Sequence, residues 1–344
     1  MRPQNPLTAR VYESLAPPVG IEPTTYGLEV RRSIQLSYRS NTHHKSTGTP
    51  TTVLPMRSRN LVVLAAVCFA TTGTAQQLGP DGSSPLGVAT IRFFIGSIAL
   101  YFLSVLRPAH QPVSDRQSLA AWVWIATAFG QALYGAAFFS AVRSTGVAVG
   151  TVVALGSAPL ITGTITAISS RKAPSLSWLL TTVFAIIGMS LIVASGKESQ
   201  VTVWGVALAL CAGLGYALFA LGSKTILSSG VSSEFAMAKV FGIASLMLAP
   251  TLFFVNLEWL THSDATVMVL WLGIVTLALA YWSYATGLRH LEPSQTTMIT
   301  LVEPVVATLL GAVVLSERPT VLAWCGIFIV IASLLADSRF TNAT

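Results

Sequence analysis

A carboxylate and a proline stand side by side in the middle of an apolar run, Glu303 and Pro304 within SQTTMITLVEPVVATLLGAVVL, residues 294–315. A run of about 20 apolar residues crosses the hydrocarbon core of a bilayer, about 30 Å thick. At about 1.5 Å per residue, Glu303 then lies about 14 Å in, near the midplane. A carboxylate at that depth costs a few kcal/mol unless it faces a cavity, meets a partner or keeps its proton. Pro304 removes a backbone donor and kinks its helix. Glu303 at that depth suits a proton or ion relay, with a purely structural role as the alternative.

Arg92, in PLGVATIRFFIGSIALYFL, lies about 10 Å from its end of a second run, which brings it within about 5 Å of Glu303 in depth. Two readings stand: an anion-binding or gating pair with Glu303, or a structural ion pair or an arginine snorkelling to the headgroups. Gln131 and Tyr134 fall mid-run in a third stretch, Thr71, Thr72, Gln76 and Gln77 in the first, and Tyr216 at a comparable place in the sixth. Their hydrogen-bonding groups serve either a polar solute or the neighbouring helices. Lys239 is close to the end of its run and reads as a snorkelling lysine.

These side chains need membrane helices to hold them. The chain has 344 residues, 53% hydrophobic and 10% charged, against about 25% charged in soluble domains. Ten apolar spans succeed one another, at roughly 60–78, 85–106, 119–141, 146–169, 176–194, 203–222, 233–256, 266–287, 294–315 and 321–337, with short connections such as RSTG and SRKAPS. The fold class expected is therefore all-α and integral to the membrane. With the first span starting inside, the inner side collects Arg57, Arg59, Arg107, Arg116, Arg171, Lys172, Lys224, Arg289 and Arg339, and the outer side Arg143, Lys197 and Arg318. That bias predicts both termini in the cytoplasm. Trp122, Trp124, Trp178, Trp204, Trp259 and Trp324 sit at span ends and read as the interfacial belt, as do Tyr281, Trp282 and Tyr284, for which a stacking pocket is the alternative.

The spans also repeat. VRSTGVAVGTVVALGSAPLITGTITAISSRKAPS, residues 142–175, lies over the Glu303 stretch so that Pro159 meets Pro304, Pro174 meets Pro319 and Ser175 meets Thr320. Paired proline breaks at matching positions are the pattern of a transporter built from internal repeats, with its site between the halves; two membrane helices that each happen to carry a proline are the alternative. Five spans per half is an odd number, so the second half enters from the opposite side: two inverted five-helix repeats, 56–195 and 203–337, and then a cytoplasmic tail, 338–344. Residues 1–55 hold no span. VGIEPTTYGLEVRRSIQLSYR, residues 19–39, resembles the translated complement of a tRNA gene, so a spurious or disordered extension before a start at Met56 is expected.

Several classes of function fit poorly. The net charge of +7 resides in short loops and forms no stripe interleaved with aromatics, so no nucleic-acid partner is expected. Cys68, Cys211 and Cys325 lie singly in spans and read as small buried hydrophobes, and the five histidines are all in the tail or in loops. No metal site, cofactor or enzymatic centre is implied, and no GxxxxGK[ST] phosphate loop occurs.

Over roughly residues 60–337 the chain resembles the bacterial drug/metabolite transporters of the EamA type. SSPLGVATIRFFIGSIAL is similar to that family's second helix, CAGLGYALFALGSKTIL to its sixth, and LRHLEPSQTTMITLVEPVVATLLGAVVLSERPT to the end of its eighth, its ninth and the Glu-Arg loop that closes it. In the first half that loop departs from the pattern, with Lys172 and Ala173 where Glu317 and Arg318 stand in the second. The resemblance implies export or exchange of a small metabolite or drug-like solute by alternating access in the bacterial inner membrane. Protons are the candidate coupling ion, lipid is the surround, and a monomer or homodimer is the assembly; a passive facilitator is the alternative, and a non-transporting membrane scaffold or a membrane enzyme a remoter one.

Overall fold

The computed structural model describes residues 53–107, 119–194, 202–316 and 318–342. Residues 1–52, all but the last three residues of the expected N-terminal extension, lie outside the described residues, and Val53–Pro55 belong to the first helix. The described chain is helical throughout: α1 (Val53–Gln77), α2 (Pro85–Leu106), α3 (Ala121–Ser170), α4 (Leu176–Ala194), α5 (Val203–Ser228), α6 (Ser233–Leu248), α7 (Ser263–Gly273), α8 (Ala280–Leu288), α9 (Pro293–Ile299), α10 (Glu303–Val314) and α11 (Val321–Asn342). A π-helix, Ile274–Leu279, joins α7 to α8, and a 3₁₀ turn, Thr300–Val302, joins α9 to α10. Seven segments among the described residues are long and apolar enough to cross a membrane. Val321–Ala336 is a shorter apolar helix, and the polar end of α1, with its threonines and glutamines, dilutes that helix.

Helix starts are set by hydroxyl caps, which take up N–H groups that the first turn leaves unbonded. Ser84 accepts from Gly87 N at 3.4 Å ahead of Pro85, Thr202 from Gly205 N at 3.1 Å, and Ser232 from Phe235 N at 3.3 Å. Ser175 and Thr320, matched in the repeat register, do the same job for α4 and α11: each accepts an amide three residues on, from Trp178 and Ala323, at 3.2 Å.

One expectation changes form. Instead of two helices and an RSTG loop, α3 keeps helical backbone from Ala121 to Ser170, 50 residues. It is nevertheless a hairpin. Gly130 packs on Gly215 and Phe219, while Ala154 and Ser157 pack on Gly213. A straight helix would hold Gly130 and Ala154 about 36 Å apart, yet both meet one short stretch of α5. The reversal lies near Ser144, whose carbonyl accepts from the Thr202 hydroxyl at 3.0 Å.

The packing pairs reflect the repeat. The first helix of each half lies on the third crossing of the other: α1 on α8, and α5 on the first arm of α3. The second helices α2 and α6 pair with each other, as do the last helices α4 and α11. A two-fold exchange of the halves preserves this set. Small residues permit the closest approaches: a Cβ added at Gly130 would lie 2.8 Å from the Gly215 carbonyl oxygen, and one at Gly188 2.8 Å from that of Gly326.

Candidate functional site

Glu303 owes its position to Pro304. The ring nitrogen has no hydrogen to give the Thr300 carbonyl four residues back, so the Glu303 N–H takes that oxygen instead, tightening residues 300–302 into a 3₁₀ turn. The α-helix resumes at Glu303, so the carboxylate stands directly after the local break. Pro159 acts differently: α3 runs across it without a change of helix type, so the two prolines share a register but only Pro304 adjoins a local break.

Arg92 reaches toward the same interior from α2. It is half-buried, its Nε is buried with no hydrogen-bond partner, and its Cζ lies 5.5 Å from the centre of the Phe93 ring. Arg92 and Glu303 act on each other electrostatically, and both act on Tyr134 and Tyr281. No direct ion pair joins them among the described residues.

Gln131, fully buried on the first arm of α3, donates through Nε2 to the Tyr281 hydroxyl at 3.2 Å, while its Oε1 has no partner. The Tyr216 hydroxyl donates to Thr300 Oγ1 at 3.4 Å, tying α5 to the turn ahead of Glu303. Tyr134 lies 5.4 Å from the Tyr216 ring. Around them is an aromatic cluster: Tyr281 packs on Phe241 at 4.4 Å, Phe69 at 4.8 Å and Phe219 at 5.5 Å, and Tyr284 on Phe219 at 5.9 Å. Four of the residues singled out beside Glu303, namely Arg92, Gln131, Tyr134 and Tyr216, thus come from three elements to one region. Thr72 and Gln76 do not join by hydrogen bonds among the described residues; they stay half-buried on α1.

The belt reading of Tyr281 and Tyr284 is corrected. They are 4% and 0% exposed, and the buried Tyr284 hydroxyl faces that of Tyr216. Only Trp282 keeps an end-of-helix setting, donating to Glu234 Oε1 at 2.7 Å with the Arg107 guanidinium 5.6 Å from its ring centre. The π-helix before α8 is the element that aims the tyrosines: its extra residue rotates the side chains of α8 relative to those of α7. Trp124 and Trp259 are likewise buried, at 7% and 3% exposed. Lys239 is exposed, its Nζ 4.2 Å above the Trp124 ring. Cys68 is buried, but Cys211 and Cys325 are exposed on their helices.

A separate cleft of about 420 Å³ runs between α1, α7 and α10, lined by Thr71, Thr74, Asp264, Met268, Trp271 and Leu310 among others. Trp271 Nε1 donates to Thr71 Oγ1 across it at 3.0 Å. Leu310 stands two turns along α10 from Glu303, but the carboxylate itself is not in the cleft wall. No group of three or more histidine, cysteine or acidic side chains able to hold a metal occurs among the described residues.

A helical chain whose two halves bring polar side chains to one apolar interior agrees with what comparisons find. A crystal structure 16% identical in sequence superposes with a TM-score of 0.71, covering 83% of this chain and 98% of that one; at that identity the likeness shows the fold alone. A Bacillus subtilis (strain 168) protein named "Uncharacterized transporter YwfM" is 33% identical over 280 residues, 80% of this chain and 92% of its own length. The model of the EamA-like transporter family matches twice, over residues 60–194 and 203–336. With both halves matched, this chain is a membrane transporter that belongs to the EamA-like transporter family.

Proposed function

We propose that the protein is a secondary carrier, an exporter or exchanger, that moves a small metabolite or drug-like solute by alternating access, with Glu303 as the proton-coupling carboxylate. One observation carries this reading. Polar side chains of both halves converge on a buried aromatic interior and leave hydrogen-bonding atoms unused: Arg92 Nε and Gln131 Oε1. Buried polar atoms without partners are costly; a solute or water entering between the halves supplies what they lack. Arg92 is the pole for an anionic group of the solute. Glu303, beside the local break and within the electrostatic reach of Arg92, is the group that takes up and releases a proton. The excess of Lys and Arg on one side of the span pattern supports an inner-membrane orientation with both termini cytoplasmic.

The test is uptake into proteoliposomes of a panel of amino acids, nucleosides and cationic drugs, with and without an imposed pH gradient, for wild type and Glu303→Gln. Accumulation driven by the gradient and cut about tenfold or more in Glu303→Gln is the expected result. Equal downhill flux in both proteins, with no accumulation, would make the protein a facilitator and Glu303 structural.

A further inference from the structure

Lys224 lies in the last turns of α5, a helix otherwise apolar enough to cross a membrane. Its ammonium donates to three main-chain carbonyls: Leu288 O at 2.9 Å, Arg289 O at 2.9 Å and Leu291 O at 2.8 Å. An ammonium has three N–H donors and no acceptor, so its whole hydrogen-bonding capacity is spent on the main chain of 288–291. The sequence explains why those oxygens are available. Past the end of α8, the Arg289 and His290 amides turn back to Ala285 and Gly287. A continued helix would ask the Arg289 carbonyl to accept from residue 293, and Pro293 has no N–H.

Carbonyls converging at the C-terminal end of a helix are the ligands with which broken helices in carriers hold a small cation, and the dipole at that end favours positive charge. Glu292 adds its attraction to the same ammonium. We propose that Lys224 is a tethered cation: its side chain fills a carbonyl site of the kind that holds a monovalent cation, and so fixes where the α9–α10 crossing that carries Glu303 begins. Arg289, which donates to Ser233 Oγ at 3.0 Å and to the Val231 carbonyl, pins the same segment to the start of α6. The segment therefore keeps one anchor when Lys224 is replaced, and the vacated cage stays close to its shape.

The proposal concerns binding and stability, and its test does not pass through transport. The full chain carrying Lys224→Ala is unfolded by heat in choline, sodium, potassium or methylammonium chloride at equal ionic strength. In choline its Tm falls by about 5 °C or more, the scale expected when buried carbonyls of a chain this size lose a charged partner. Methylammonium or one of the alkali ions recovers at least half of that fall, whereas wild type is indifferent to the cation. Lys224→Arg, which keeps the charge but spreads its donors in a plane, also falls and recovers with none of them. A wild-type Tm for Lys224→Ala, or a fall that no small cation reverses better than choline, overturns the proposal. If Lys224→Ala does not fold, wild type still decides: under reductive methylation that converts the exposed Lys172, Lys224 stays unmodified, and its ready methylation overturns the proposal.

Discussion

The two proline-bearing crossings share a register and little of their chemistry. With Pro159 set on Pro304, the caps Ser175 and Thr320 coincide and do the same work, but Ala158 stands where Glu303 does. Ala158 is fully buried in an uninterrupted helix, whereas Glu303 comes after a 3₁₀ turn and opens a new helix. The turns leading in differ as well. The first half reverses with its backbone still helical, held at Ser144 by Thr202; the second leaves the helix and is closed by Lys224. Repetition supplies the frame and the depth, and one copy alone supplies the titratable group.

If that asymmetry is right, Ala158→Glu has the largest effect. It buries a second carboxylate at a position with no exposure and lowers stability by about 3 kcal/mol or more, read as loss of folded protein in a thermal assay. Next comes Gly215→Leu, which drives a side chain into the Gly130 carbonyl and the Tyr134 amide and costs about 2 kcal/mol by overpacking. Glu303→Gln leaves stability close to wild type and cuts gradient-driven uptake by about tenfold, equivalent to about 1.4 kcal/mol. Moving the carboxylate, with Ala158→Glu combined with Glu303→Ala, does not restore uptake; recovery would break the one-sided comparison. Ser175→Ala and Thr320→Ala each cost about 1 kcal/mol, and a marked inequality in their Tm shifts would mean that the two caps are not equivalent.

The smallest effect belongs to His290. Burial, then the charges of Lys224 and Arg289, hold its imidazole below the usual value. Between the lowered pKa and the ordinary one, about 6.5, the unfolded chain binds the proton more readily than the folded one. His290 therefore contributes stability above that range, and the contribution is lost as pH falls through the lowered value. The Tm of wild type should fall slightly more on acidification than that of His290→Gln, and a greater fall in the variant would reverse the sign.

Much of this was legible in the sequence because a membrane penalises polar groups so heavily that each one inside a span is conspicuous. Glu303, Arg92, Gln131, Tyr134 and Tyr216 stood out for that reason, and all approach one interior. Tyr281 and Tyr284 admit both a belt and a stacking-pocket reading, since a tyrosine toward the end of a span looks the same whether it faces headgroups or a core; only the helix rotation distinguishes them. In the sequence Lys224 looks like one more charge setting topology, because its carbonyl partners come from residues more than 60 positions later. The α3 reversal was hidden because RSTG carries the residues of a loop while its backbone stays helical.

The π-helix Ile274–Leu279 has a consequence of its own for the crossing it interrupts. It is an insertion of one residue held inside a helix, so residues before and after it count on different phases. Deleting one residue between 274 and 279 would shorten the crossing by only about 1.5 Å but swing Tyr281 and Tyr284 by about 100° around the axis, away from Phe219. For this stretch the angular phase of the side chains is far less tolerant than the length.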